Sequence, residues 1–277
     1  MSSEPSILRV ASQWLVALAL TFALALFSFA VLGWQLTSRG TGEKIQRRAA
    51  AALTDIDLIL PNIEAQLKET ARNTQEDFVL VPGFPLPIEL PTVDAKALGG
   101  EELRQRLLDE SGQKLYEDGM TAWAAGDPEA RQDIDDISTA GAVYRGLGVV
   151  QHSAYSYFLV ATILLGILAL SLAAILAISI RSAYARLMAL GSVALTASLP
   201  CLAAAVAVRF ALKTAQTEAD SFVDALLDLG VDTMWLPIRM YLAMSTLGLA
   251  LIAVSSLAMW WSERPSRSSF GGGAPSI

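Results

Sequence analysis

Four stretches of the chain, 14–34, 157–180, 184–208 and 240–261, are almost wholly apolar and contain no Asp, Glu, Lys or His. A bilayer core about 30 Å thick takes roughly 20 helical residues at about 1.5 Å each, so every one of them is long enough to cross. Inside lipid the backbone must satisfy its own hydrogen bonds, which a run of this length does as an α-helix. Aromatic residues stand at the rims, as in membrane-interface belts: Trp14 and Trp34 bracket the first run, Tyr155 and Tyr157 open the second, Tyr184 opens the third, and Trp235, Trp260 and Trp261 flank the fourth. The expected fold class is therefore an all-α membrane protein, a four-transmembrane-helix bundle with a mainly helical exterior domain between helices 1 and 2. The first run is longer than a signal-peptide core and only Arg9 precedes it, so it reads as a retained anchor.

This reading divides the chain into an N-terminal tail 1–13, span 14–34, an acidic exterior domain 35–153, span 154–180, span 184–208, an acidic exterior connection 209–239, span 240–261 and a flexible Gly/Ser-rich tail 262–277. Three residues join the second and third spans, which forces an antiparallel hairpin. An even number of spans puts both termini on one face and both longer connections on the other. The tails and the hairpin loop carry Arg9, Arg181, Arg186, Arg264 and Arg267, more than the 209–239 connection, which favours cytoplasmic termini in a multi-pass cell-membrane protein. Arg39, Lys44, Arg47 and Arg48, directly after the first span, oppose that assignment.

Mean hydropathy of +0.46 and 53% hydrophobic residues fit a membrane protein whose partner is the lipid bilayer. Of the net charge of -7, the segment 38–152 alone supplies 12 basic against 20 acidic residues. With no basic patch to neutralise phosphates, a nucleic-acid partner is not expected. The single cysteine, Cys201, allows no internal disulfide, so the domain must hold together by packing. Arg outnumbers Lys 15 to 5 and Ala and Leu dominate, a composition that suggests a bacterium with GC-rich DNA.

Within the domain, Ile45, Ala49, Ala52, Ile56 and Ile59 recur at helical spacing and predict a helix over 43–60, with Pro61 ending it, kinking it or starting the next, which runs to about Asn73. Four prolines among apolar residues over 78–91 predict extended backbone laid across the domain. Leu103, Leu107, Leu108, Leu115 and Trp123 predict a helix over 101–125, and Asp127-Pro128 reads as a cap with proline at the first helical position.

One regular feature lies in the second connection: Asp220, Asp224, Asp228 and Asp232 recur every four residues, along one helix stripe. Like charges at that spacing repel by a few tenths of a kcal/mol per pair, so the stripe does not serve local helix stability. A solvated face opposite Phe222, Val223 and Leu226 is the plain reading. A stripe that holds a cation or a basic partner is the alternative, although the spacing is not that of a calcium loop. Ala52-Leu-Thr-Asp-Ile and Ala225-Leu-Leu-Asp-Leu also echo each other, a hint of internal duplication.

Ion coupling or catalysis inside a bilayer uses ionisable residues facing the bundle interior. The spans offer no acid, lysine or histidine for it. Arg209 and Arg239 sit at rims, where they can snorkel. His152 alone cannot complete a zinc site, and Cys201 beside Pro200 reads as a small packing residue. No catalytic, cofactor-binding or metal residue is expected, and no enzyme. Ser192, Thr196, Ala189, Ala197, Cys201, Ala203 and Ala207 form a small-residue pattern in the third span suited to close helix packing or an oligomer contact. The layout of four spans with a large first exterior connection is similar to that of claudin-like tetraspan proteins, in topology alone, because that family's tryptophan and paired-cysteine signature is missing. The expected function is a non-enzymatic assembly, scaffold or interaction component acting through the exterior domain on protein partners or as a homo-oligomer. The alternative is a subunit of an oligomeric channel or transporter with an acidic mouth.

Overall fold

The computed structural model describes residues 7–54, 56–119, 122, 148–216 and 221–262. Helix α1 runs Ile7–Leu36, α2 Arg39–Thr54, α3 Ile56–Asn73, α4 Thr92–Ala97, α5 Gly100–Asp118, α6 His152–Ser179, α7 Ala183–Ala215, α8 Ser221–Thr233 and α9 Trp235–Ser262; strands β1 (Phe78–Leu80) and β2 (Glu89–Pro91) pair antiparallel. Four helices are long and apolar enough to cross a membrane: Val10–Leu36, His152–Ser179, Ala183–Ala215 and Leu227–Trp261. All four outrun the apolar stretches that mark them. The 33 residues of α7 rise about 50 Å, past a hydrocarbon core of about 30 Å. Helix geometry therefore continues through the polar rims.

The chain forms two compact units. The first is drawn from Met1–Ser28, Leu164–Ala205 and Pro237–Ile277. Its centre is Leu20 and Ala23 of α1, Ala169 and Leu176 of α6 and Val193 of α7. Helices α7 and α9 meet at a pair of glycines: a Cβ on Gly191 would lie 2.7 Å from the Gly248 carbonyl oxygen. Near them, Ser198 and Ser245 share a buried 2.8 Å hydrogen bond. The α6–α7 hairpin is closed by Arg186, whose Nε donates to the Ile180 carbonyl at 2.6 Å and caps the end of α6. Of the small-residue pattern, Ala197 is buried and Ala189 and Cys201 half-buried, while Ser192, Thr196, Ala203 and Ala207 are exposed in the single chain; the buried positions of α7 are Gly191, Val193, Ala194, Ala197, Ser198 and Ala205.

The second unit is drawn from Phe29–Ile163 and Val206–Leu236. Its core joins Ile63, Leu67 and Ala71 of α3, Leu103, Leu107 and Leu115 of α5, Val79 and Leu90 of the hairpin, and Leu86 and Ile88 of the loop between the strands. That loop carries three of the four prolines, the fourth, Pro91, ending β2, and the apolar residues Phe84, Leu86 and Ile88 among them are buried, as in an extended cover. The residues of the expected 43–60 helix are helical wherever they are described, in α2 and the start of α3; helix geometry already begins at Arg39, with Gly40 and Gly42 inside α2, and Pro61 lies inside α3. The 101–125 helix stops at Asp118, because Gly119 takes φ 69° and ψ -167°, a region open to glycine almost alone. Trp123 and Asp127-Pro128 lie outside the described residues. Glu64 on α3 accepts from the Gly100 amide at 2.9 Å and from Lys68 at 2.6 Å, tying α3 to the start of α5. These bonds, the amide first, lower its pKa.

Helices α2 and α5 are the most closely packed pair of this unit. A Cβ on Gly112 would lie 2.8 Å from the Glu43 carbonyl oxygen and 3.1 Å from the Arg47 nitrogen, backbone atoms that cannot swing away. Gly40, with nothing within 4 Å of its own Cβ direction, has no such constraint. We expect Gly112→Ala to lose about 1–3 kcal/mol through overpacking. Gly40→Ala should be neutral or gain up to about 1 kcal/mol from helix propensity. Equal unfolding midpoints for the two variants in detergent would contradict the close approach.

Candidate functional site

The segment that links α1 to α2 is two residues long and satisfies its own backbone. Thr37 donates both its N–H (2.9 Å) and its hydroxyl (2.7 Å) to the Gly33 carbonyl, Ser38 Oγ donates to the Gln35 carbonyl at 2.7 Å, and the Ser38 carbonyl accepts from the Gly42 amide at 2.7 Å. Helix α2 therefore starts at once, and its first turn carries Gly42. Missing a side chain there lets Tyr116 of α5 lay its ring against the α2 backbone: a Cβ on Gly42 would sit 2.6 Å from the ring. The Tyr116 hydroxyl then donates to the Thr37 carbonyl at 2.8 Å, in a buried bond that fastens α5 to the end of α1.

Two further contacts bring in the start of α6. Gln46, wholly buried on α2, donates Nε2 to the Val150 carbonyl at 2.8 Å. The His152 ring meets the Tyr116 ring edge-on, with centroids 6.0 Å apart and planes at 70°. Above these rings lies a cavity of about 420 Å³ lined by Ser38, Arg39, Tyr116, Glu117, His152 and Tyr155. Arg39 donates Nε to Glu43 at 2.7 Å and has its Nη2 3.7 Å from Glu117. The site thus joins aromatic faces, a guanidinium and a carboxylate next to the ends of two helices long and apolar enough to cross a membrane. His152, expected as an interfacial residue, is the first residue of α6 and part of this wall.

The aspartate stripe fares unevenly. Asp220 lies outside the described residues, Asp224 falls in α8, Asp228 is exposed, and Asp232 pairs with Arg48 of α2 at 2.7 Å. Among the described residues no group of three or more His, Cys, Asp or Glu is gathered as a metal site would need. Arg209, expected to snorkel, has its guanidinium carbon 4.2 Å from the centre of the Trp235 ring, a cation–π contact. The lining of the cavity went unread as a site because its six residues come from three segments far apart in sequence. The one signal for it was a glycine in the first turn of an otherwise regular helix. No protein-family model matches the chain, and no curated protein or solved structure matches it either.

The Tyr116 phenol is pushed above its ordinary value of 10.0, first by burial and then by the Glu43 carboxylate. A raised acid favours the neutral form in the folded state. Its contribution to stability is therefore full below about pH 10 and lost as the pH rises through the raised value. Tyr116→Phe should cost roughly 1 kcal/mol near neutrality by removing the bond to Thr37. The stability gap between wild type and Tyr116→Phe should shrink above about pH 10; a gap that stays constant through alkaline titration would contradict a neutral, bonded phenol. The Arg48–Asp232 pair is half exposed, with side chains 43% and 53% accessible. A double-mutant cycle of Arg48→Gln and Asp232→Asn should yield a coupling below about 1 kcal/mol. A larger coupling would mean that the pair anchors α8.

Proposed function

We propose that this chain is a multi-pass membrane protein acting as a non-enzymatic assembly, scaffold or interaction component, with the 35–153 domain on the exterior as its working part and both termini in the cytoplasm. The observation that carries this reading is the fastening of that domain: Tyr116 to the Thr37 carbonyl, Gln46 to the Val150 carbonyl and Asp232 to Arg48. A domain with its own core, whose internal bonds hold the residues next to two apolar helices, Thr37 after α1 and Val150 before α6, presents a fixed surface to a partner. Of the four charges that oppose the orientation, Arg39 and Arg47 are held in ion pairs within the domain and Arg48 in one with Asp232 of the second connection, while Lys44 still counts against it. The four spans would form the bundle that anchors it. Helix α6 buries only 11% of its apolar window, which leaves ample surface for lipid or for helices of a second copy.

A channel or transporter subunit is the second reading. It is favoured by a groove of about 480 Å³ among α1, α6 and α7, where Gln13, Thr21, Ser192 and Thr196 interrupt apolar walls. Against it, those hydroxyls donate back to their own helices, Thr21 to Ala17, Ser192 to Met188 and Thr196 to Ser192, which leaves little polarity for a permeant ion.

Two measurements test the proposal. In a Cys201→Ser background, cysteines at Ser38 and Ser221 should react with an impermeant reagent from one face, and one at Ser268 from the other; labelling of 38 and 221 from opposite faces sinks the four-span arrangement. Liposomes holding the purified protein should show no conductance above empty vesicles, and a steady cation current would favour the channel instead.

A further inference from the structure

We propose that the cavity floored by Tyr116 binds a phosphate–ammonium zwitterion, the chemistry shared by the phosphatidylethanolamine headgroup and soluble glycerophosphoethanolamine. Three observations converge on it. Ser38 lies two residues past the end of α1 and His152 opens α6, so the cavity sits where two helices fit to cross a membrane come to an end, the level occupied by headgroups. Its volume of about 420 Å³ falls in the range of small-molecule sites. Its chemistry is two-sided. Arg39 is 68% exposed and uses Nε on Glu43, which leaves other donors of its fork for phosphate oxygens. Glu117, 51% exposed, sits beside the rings of Tyr116, Tyr155 and His152, a carboxylate and aromatic faces that together attract an ammonium.

That two-sidedness is what selects the ligand. A headgroup carrying only negative charge gains Arg39 but meets Glu117, and a simple cation gains Glu117 and the rings but meets Arg39. A zwitterion whose two charges are a few bonds apart satisfies both. The covering of Tyr116 on one side by the Gly42 backbone and its bond to Thr37 keep the floor rigid, so binding orders few side chains.

The test is native mass spectrometry of the full chain in detergent with phosphatidylethanolamine or phosphatidylglycerol added at equal concentration. We expect phosphatidylethanolamine to be retained at least about tenfold better, the scale of one charge-assisted contact. Arg39→Gln should lose retention of both lipids, while Arg39→Lys keeps part of it and guards against a folding defect. Glu117→Gln should abolish the preference by letting phosphatidylglycerol bind as well. Glycerophosphoethanolamine that competes the lipid off would identify a soluble ligand as sufficient; failure to compete, with the preference intact, would assign the site to the lipid. Equal retention of the two lipids by wild type, or unchanged preference in both Arg39→Gln and Glu117→Gln, would overturn the proposal.

Discussion

The second unit depends on how near α2 and α5 can come. Gly42 and Gly112 remove the two side chains that would hold the helices apart, and the small buried residues Ala49, Ala50 and Ser111 extend the seam. Only at that separation does Tyr116 span the start of α2 to reach the Thr37 carbonyl. The same packing buries Gln46 so that its amide meets the chain just ahead of α6. The position of the domain on the ends of two helices is thus a consequence of missing atoms. The polar bonds follow from it, and in a buried setting each is costly to leave unmade.

Within the apolar helices a different rule operates, because lipid is as apolar as leucine and offers no hydrophobic gain for bringing helices together. What remains is close packing and internal hydrogen bonding. The Gly191–Gly248 approach supplies the first, and the Ser198–Ser245 bond the second. Most other hydroxyls, those of Ser28, Ser171 and Thr196 among them, donate to the carbonyl four residues back, so they spare the bilayer an unsatisfied donor. Cys201 is a half-buried free thiol beside the proline of α7.

What could be read from the sequence follows the same division. The apolar runs were legible because span length is fixed by bilayer thickness, a constraint acting on each helix alone. The extended proline segment and the buried stripe of Leu103, Leu107 and Leu115 were legible for the same local reason. The hairpin pairing of Val79 with Leu90 was not, since its register depends on the loop between them folding back into the core. Gly42 marks the close neighbour Tyr116, which nothing in the local sequence announces. The cavity residues, scattered over more than a hundred positions, carried no pattern to read.

Charge completes the account. Arg39, Arg47, Arg48, Arg104, Arg106 and Lys68 each hold a carboxylate within 4 Å. Pairs this exposed contribute little stability one by one, so their main effect is to cancel charge locally. Whatever the local pairing, the excess of 20 acids over 12 bases in 38–152 sets the field around the domain. Asp232 belongs to the cancelled part through Arg48, which separates it from the exposed Asp228 one turn earlier and breaks the electrostatic equivalence that the regular spacing suggests. A zwitterion is the kind of ligand such a surface tolerates, because it brings no net charge into a negative field while still answering Arg39 and Glu117 where they stand together.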